Sequence, residues 1–196
     1  FALHENGNKV AQVSWAMTGL HSVNNGVAAL LAARHCGVEL AQGAEALSAF
    51  EGVKRRMELV GEVRGVRVYD DFAHHHTAIA TTLQGLRKTV GSEKIIAIIQ
   101  PRSTPMRMGA HRGRWPASVS MADEVIWYQP EGMNGSLDDV VSASNVPSKT
   151  LSSIDAVIAD ICARQDSALN VVIMSNGGFG SARQTLTAVL QRTRSG

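Results

Sequence analysis

The sequence predicts an α/β fold: a mostly parallel sheet flanked by helices. Three observations carry this. Residues 94–99 include the uninterrupted apolar run Ile95-Ile96-Ala97-Ile98-Ile99, the mark of a strand buried on both faces of a parallel sheet. From residue 58 onward, strand-like segments alternate with helical patterns, which is the signature of βαβ units. The composition, 44% apolar with 18 Gly and 5% aromatics, supplies a real core of ordinary α/β character.

Residues 1–20 read as a hairpin, with arms at 1–4 and 9–15 and a turn at Glu5-Asn6-Gly7-Asn8, since Asn-Gly supplies the positive φ angles of a tight hairpin turn. A helix is predicted over 23–36, apolar at Val27, Ala28, Leu30, Leu31 and Ala32. It is therefore expected to be buried on nearly every side and to end at Gly37. A second helix covers 40–50 and stops at Gly52. Two strands follow, 57–63 and 66–69, joined by Arg64-Gly65. A helix over 77–90 places Ile79, Leu83 and Leu86 on one face. Beyond the buried strand 94–99 come a polar loop, a helix near 111–121 and a strand at 124–128. Residues 129–150, with their Pro, Gly, Ser and Asn, are read as loop with one short strand. A helix at 154–164, a strand at 169–174 and a helix at 181–192 complete the pattern. The result is a Rossmann-like unit with a boundary near 47–50, giving segments 1–48 and 49–196. The first segment cannot close a core by itself.

The 19 basic and 17 acidic residues leave a net charge of +2, too small for a nucleic-acid footprint. No stretch approaches the ~18 apolar residues of a membrane span. Cys36 and Cys162 lie in apolar helical patterns and are expected to be buried free thiols of a reducing compartment. The chain opens Phe1-Ala2-Leu3-His4, without Met or a signal segment, and is read as a piece of a longer cytoplasmic polypeptide.

Chemistry concentrates at predicted strand ends. The stretch 69–79 carries Asp70, Asp71, His74, His75 and His76 between a strand and a helix, where open α/β sheets place ligand-handling groups. The carboxylates suit a ribose hydroxyl or a cation. The histidines suit an anion beside helix N–H groups, or a metal, although three consecutive histidines cannot all face one ion from a helix start. Arg55-Arg56 is either a solvated pair or a phosphate or carboxylate clamp. Two further polar loops follow strands: residues 100–109, with Arg102 and Arg107, and Ser175-Asn176-Gly177-Gly178-Phe179-Gly180. Glycines there let backbone N–H groups approach a ligand. No phosphate-cradling G-x-x-x-x-G-K-[ST] stretch is present, so the chain by itself is not expected to run an ATP-driven reaction.

Three ordered motifs resemble the ATP-dependent Mur ligases of bacterial cell-wall synthesis. Gly19-Leu20-His21-Ser22-Val23-Asn24-Asn25-Gly26-Val27-Ala28-Ala29 is similar to a stretch near the end of the family's central ATP-binding domain. Phe50-Glu51-Gly52-Val53-Lys54-Arg55-Arg56-Met57-Glu58 resembles the start of its C-terminal domain, and Asp70-Asp71-Phe72-Ala73-His74-His75 that domain's D-D-[YF]-A-H-H turn. The resemblance implies that 1–48 is the tail of the central domain and 49–196 the C-terminal, substrate-binding domain. Residues 100–109 and 174–180 look most like the branch that joins L-Ala-γ-D-Glu-meso-diaminopimelate to UDP-N-acetylmuramate in peptidoglycan recycling. The branch that adds L-alanine is the alternative, and a non-catalytic nucleotide- or amino-acid-binding module a second. By resemblance, Asn25, Arg56 and Asp71 contact ATP, and His74, His75, Arg102, Ser175 and Asn176 the incoming peptide. The magnesium ligands and the UDP site then lie outside this chain. Ser22, His76 and Arg183 depart from the family pattern.

Overall fold

The computed structural model describes residues 1–101, 112–129, 131, 136–164, 168–177, 179 and 182–193. The chain divides into two compact units, Phe1–Val53 and Lys54–Gly196, a few residues beyond the expected 48/49 boundary.

In the first unit, β1 (Ala2–Glu5) and β2 (Asn8–Gln12) form an antiparallel hairpin followed by α1 (Leu20–His35) and α2 (Leu40–Ser48). Asn6 (φ 51°) and Gly7 (φ 82°) take the two positive-φ positions of the turn. Ala11, Val13, Leu30 and Ala44 make a small core edged by Phe1, Leu3, Trp15, Leu40 and Leu47. The expectation that α1 is buried nearly all round is corrected: only its Gly26 and Leu30 are buried. One hairpin and one neighbouring helix cannot cover more than one face of it. Cys36, beyond its last turn, is exposed, and Cys162 is half-buried rather than enclosed.

The second unit holds a six-stranded sheet in the order β3-β4-β8-β5-β6-β7. The strands are β3 (Glu58–Val63), β4 (Val66–Asp71), β5 (Lys94–Ile99), β6 (Glu124–Tyr128), β7 (Ser148–Leu151) and β8 (Leu169–Met174). Only the β3–β4 pair is antiparallel. Alternate residues feed two cores. Ile95, Ala97, Ile99, Val125, Trp127, Val172 and Met174 pack on one face, and Ile96, Ile98, Ile126, Val171 and Ile173 on the other. The first face is covered by α3 (His76–Val90), α4 (Trp115–Ser118) and α5 (Asp138–Ser142), the second by α6 (Ile154–Cys162) and α7 (Ala182–Thr193).

Two expectations about the middle of the chain change. The helix expected near 111–121 is a 3-10 turn, Arg112–Arg114, running into the single α-turn of α4, which starts at the Trp115-Pro116 step. Residues 138–142, expected as loop, form α5, whose five residues are too few to show a helical period; Leu137 and Val140 anchor it.

Chain direction then places the functional edge. The chain steps from β4 past β8 to β5, β6 and β7 using helices on the first face, then returns to β8 through α6 on the second. Opposite directions of travel need opposite faces if every crossover keeps the right-handed sense. So β8 sits between β4 and β5, but its successor helix α7 leaves on the other face from α3 and α4. The carboxyl end of β8 is thus a switch point, where open α/β sheets bind ligands. Among the described residues no helix is long and apolar enough to cross a membrane.

Candidate functional site

Three polar strand-end segments start side by side at this switch point because β4, β8 and β5 are sheet neighbours. Backbone ladder bonds continue past the strands: Gln100 N–H donates to Met174 O at 3.0 Å, and Ser175 N–H to Asp71 O at 3.1 Å. Each loop therefore starts from a fixed position.

Asp70 and Asp71 were expected on the turn. Instead they are the last two residues of β4, paired with Ile173 and Met174 of β8, and both are buried. Pairing with a long apolar neighbour extends the strand through them. Oδ1 of Asp71 accepts the Ala73 N–H at 2.7 Å and the Thr82 hydroxyl at 3.4 Å, and Oδ2 accepts the Met57 N–H at 2.9 Å. This carboxylate joins the end of β4, the turn before α3, the middle of α3 and the segment before β3. Thr82 escaped the sequence reading, although its place beside Ile79 and Leu83 on the buried face of α3 marks a polar group needing a partner.

The segment carrying the two arginines is held in an uncommon backbone. Arg55 (φ 61°) and Met57 (φ 51°) are both left-handed without being glycine, at about 1–2 kcal/mol each. The Arg55 N–H donates to Glu58 Oε2 at 2.8 Å, and its carbonyl accepts the Phe72 N–H at 2.8 Å. Its guanidinium donates to the carbonyls of Ser175 and Gly177, lies 3.3 Å from Asp70 Oδ2, and covers the Phe72 ring at 4.9 Å. Arg56 is exposed, makes no ion pair among the described residues, and approaches the same ring at 5.9 Å. The pair is thus split in role: Arg55 faces the fold and Arg56 faces outward.

On β8's loop, Ser175 is completely buried. Its hydroxyl donates to Gln100 Oε1 at 2.7 Å and accepts the Gly177 N–H at 3.1 Å, so it binds two loops together rather than lining a surface. Asn176 is half-buried, and its Oδ1 is enclosed without a hydrogen-bond partner among the described residues. His74 is held through Nδ1 by the Phe72 carbonyl at 2.8 Å, with its ring 4.2 Å from that of exposed His75, the residue capping α3. Among the described residues, no three His, Cys, Asp or Glu side chains are grouped to hold a metal ion. Arg102, Gly178, Gly180 and the Arg183 side chain lie outside the described residues. Asn25 is exposed on α1, in the first unit. Arg56, Asp71, His74, His75, Ser175 and Asn176 all belong to the one switch-point edge.

An arrangement of this kind, with an outward guanidinium, an enclosed amide oxygen and histidines at a helix start, suits an anionic ligand with amide or amine groups. The family described as Mur ligase, glutamate ligase domain, matches residues 55–177. The UDP-N-acetylmuramate--L-alanyl-gamma-D-glutamyl-meso-2,6-diaminoheptandioate ligase of Escherichia coli is 41% identical over 181 residues, 92% of this chain and 40% of the relative. Its counterpart in Haemophilus influenzae is 37% identical over 187 residues, 95% of this chain and 41% of that protein. The crystal structure of a murein peptide ligase from Psychrobacter arcticus superposes with a TM-score of 0.72 at 43% identity, covering 95% of this chain and 41% of that one. The chain therefore spans about 40% of the length of the relatives it matches. With a family match across the switch-point edge and relatives aligned over nearly its whole length, this chain belongs to the Mur ligase family.

Proposed function

We propose that this chain is the C-terminal part of an ATP-dependent amide-bond ligase that joins UDP-N-acetylmuramate to the tripeptide L-Ala-γ-D-Glu-meso-diaminopimelate. The observation that carries the reading is the pairing, on one sheet edge, of outward Arg56 with the enclosed Asn176 amide in a chain whose relatives bear that name. Residues 1–48 are then the tail of the central ATP-binding domain, and 49–196 the C-terminal domain.

In this reading a muramate carboxylate is activated as an acyl phosphate and attacked by the peptide amine. Negative charge grows on phosphoryl oxygens and then on a tetrahedral oxyanion, where a fixed guanidinium is most useful. Arg56 faces the ATP phosphates and Asn25 the adenine. Asp71 receives the ribose through the acceptor site left on Oδ2 once Met57 is bound, since a carboxylate oxygen accepts two hydrogen bonds. His74, His75, Asn176 and Arg102 are assigned to the tripeptide, while Ser175 ties the loop of Asn176 to Gln100. ATP supplies the phosphoryl group, and Mg2+, bound by the rest of the polypeptide, neutralises its oxygens. The partners are these small molecules and the remainder of the same chain, in the cytoplasm; nucleic acid and membrane are not among them.

The test is phosphate release by the full-length protein with ATP, Mg2+ and UDP-N-acetylmuramate. Release that depends on the tripeptide and is absent with free L-alanine supports the reading. Release with L-alanine alone refutes it, and tight ATP binding by residues 1–196 alone counts against it.

A further inference from the structure

We infer that Arg55 is a positioning residue that locks the arginine-bearing segment to the loop after β8, so that Arg56 and Asn176 are set in register by one side chain. The inference rests on the reading of this edge as the ligand-handling site and goes beyond it, because Arg55 is assigned no ligand.

The geometry separates Arg55 from its neighbour. Its guanidinium reaches two successive loop carbonyls, Ser175 O and Gly177 O, which bracket Asn176. Nη2 alone donates to both carbonyls while Nε, a second nitrogen of the same planar group, lies against Asp70, a separation that the single nitrogen of a lysine does not offer. The third contact, to buried Asp70, and the Phe72 ring beneath leave the guanidinium one position. Its own backbone is fixed from both sides, by Glu58 on its N–H and by the Phe72 N–H on its carbonyl. Arg56 follows directly, between two left-handed residues, so its direction is set by torsions that Arg55 and Met57 adopt. Strain of this kind persists only where the surroundings over-determine it. A change at the Ser175–Gly177 loop is thereby transmitted to Arg56 through one side chain, linking the peptide side of the site to the phosphate side.

Full-length protein carrying Arg55→Gln, Arg55→Lys, Arg56→Gln or Ile161→Val tests this. The last trims the core under α6, away from the loops. Amide exchange at Phe72 and Gly177 and the kinetic constants for both ATP and tripeptide are measured for each. A positioning role predicts that Arg55→Gln and Arg55→Lys both speed exchange at these amides. Both also lower kcat/KM for both substrates, roughly 10- to 100-fold, as small misplacements of substrate-positioning groups do. Arg56→Gln lowers activity with the same amides still protected, and Ile161→Val lowers thermal stability with kinetics unchanged. Loss of activity in Arg55→Gln with Phe72 and Gly177 still protected makes Arg55 a direct contact and overturns the inference, as does faster exchange with unchanged kinetics. If wild-type protein shows no tripeptide-dependent phosphate release, the functional reading fails separately. Exchange alone then decides the clamp, and unaltered protection in Arg55→Gln overturns it.

Discussion

Replacing Asp71 by Asn keeps the shape of the side chain and removes one acceptor. The buried carboxylate faces backbone donors on both oxygens, the Ala73 N–H at 2.7 Å on Oδ1 and the Met57 N–H at 2.9 Å on Oδ2. An amide has only one oxygen, so its NH2 must face one of these donors. The shorter bond, reinforced by the Thr82 hydroxyl on the same oxygen, keeps the carbonyl toward Ala73. Met57 then loses its acceptor. A hydrogen bond to a charged group contributes about 1.5–3 kcal/mol. Met57 is left-handed at φ 51°, a conformation that itself costs about 1–2 kcal/mol, so the lost bond no longer offsets that cost at this residue, while the contacts of Arg55 with Glu58 and Phe72 remain. Local opening at Met57 is expected to rise roughly 10- to 100-fold, at about tenfold per 1.4 kcal/mol. Native-state amide exchange reads this directly. Met57 should accelerate by that factor, with the strand amides of β5 accelerating no more than it does. Unchanged exchange at Met57, or loss of protection at Ala73 instead, would refute the reasoning.

Gly61→Ala should destabilise the second unit, because an added Cβ meets Thr187 Cγ2 of α7 at 2.5 Å. Overpacking of this degree costs about 1–3 kcal/mol, a drop of about 3–10 °C in a unit of this size by thermal melt. Adding Thr187→Ala should restore the loss, and failure of that rescue would count against a steric cause. Gly26→Ala should disturb the first unit, since its Cβ would lie 2.6 Å from Trp15 Cη2, and a shifted Trp15 indole resonance with a lower melting point is expected. Acid should weaken the second unit through Glu124 and Asp160. Hydrogen bonds from Arg164 hold Glu124 below its ordinary 4.5. At Asp160 burial pushes upward from 3.8, but the bonds from Arg164 and Lys149 prevail and lower it. Both folded-state values being depressed, the unfolded chain takes up protons first as pH falls. This stability is present above about pH 5 and lost below pH 4.5 as the folded groups protonate. Urea titrations at a series of pH values should show that slope, reduced in Glu124→Gln.

Much of this architecture follows from local patterns that no tertiary context overrides. The strand predicted at 94–99 has the same bounds as β5, and those at 124–128 and 169–174 the same bounds as β6 and β8, because strands buried on both faces leave a dense apolar signal. The α3 stripe of Ile79, Leu83 and Leu86 is wholly buried for the same periodic reason. Elements of four or five residues, such as α4 and α5, contain too little of a period to be read and are held by Trp115, Leu137 and Val140 packing on the sheet. The exposed faces of α1 depart from the sequence expectation because apolar composition alone does not say whether a partner surface is present.

At the site, the sequence alone determined which residue types stand at the strand ends: paired carboxylates, paired arginines, histidines and a glycine-rich turn. Tertiary structure decided which of them stay exposed and which are bound into the fold. Strand order, unreadable from one chain, put β8 between β4 and β5 and so brought the starts of the three loops side by side. Arg55 and Arg56 are identical in chemistry, yet left-handed torsions and two carbonyls across the sheet turn one inward and leave the other exposed. Asp71 and Ser175 likewise bind backbone because pairing along β4 and β8 buries them. Such long-range partners are a property of the assembled sheet rather than of any local stretch.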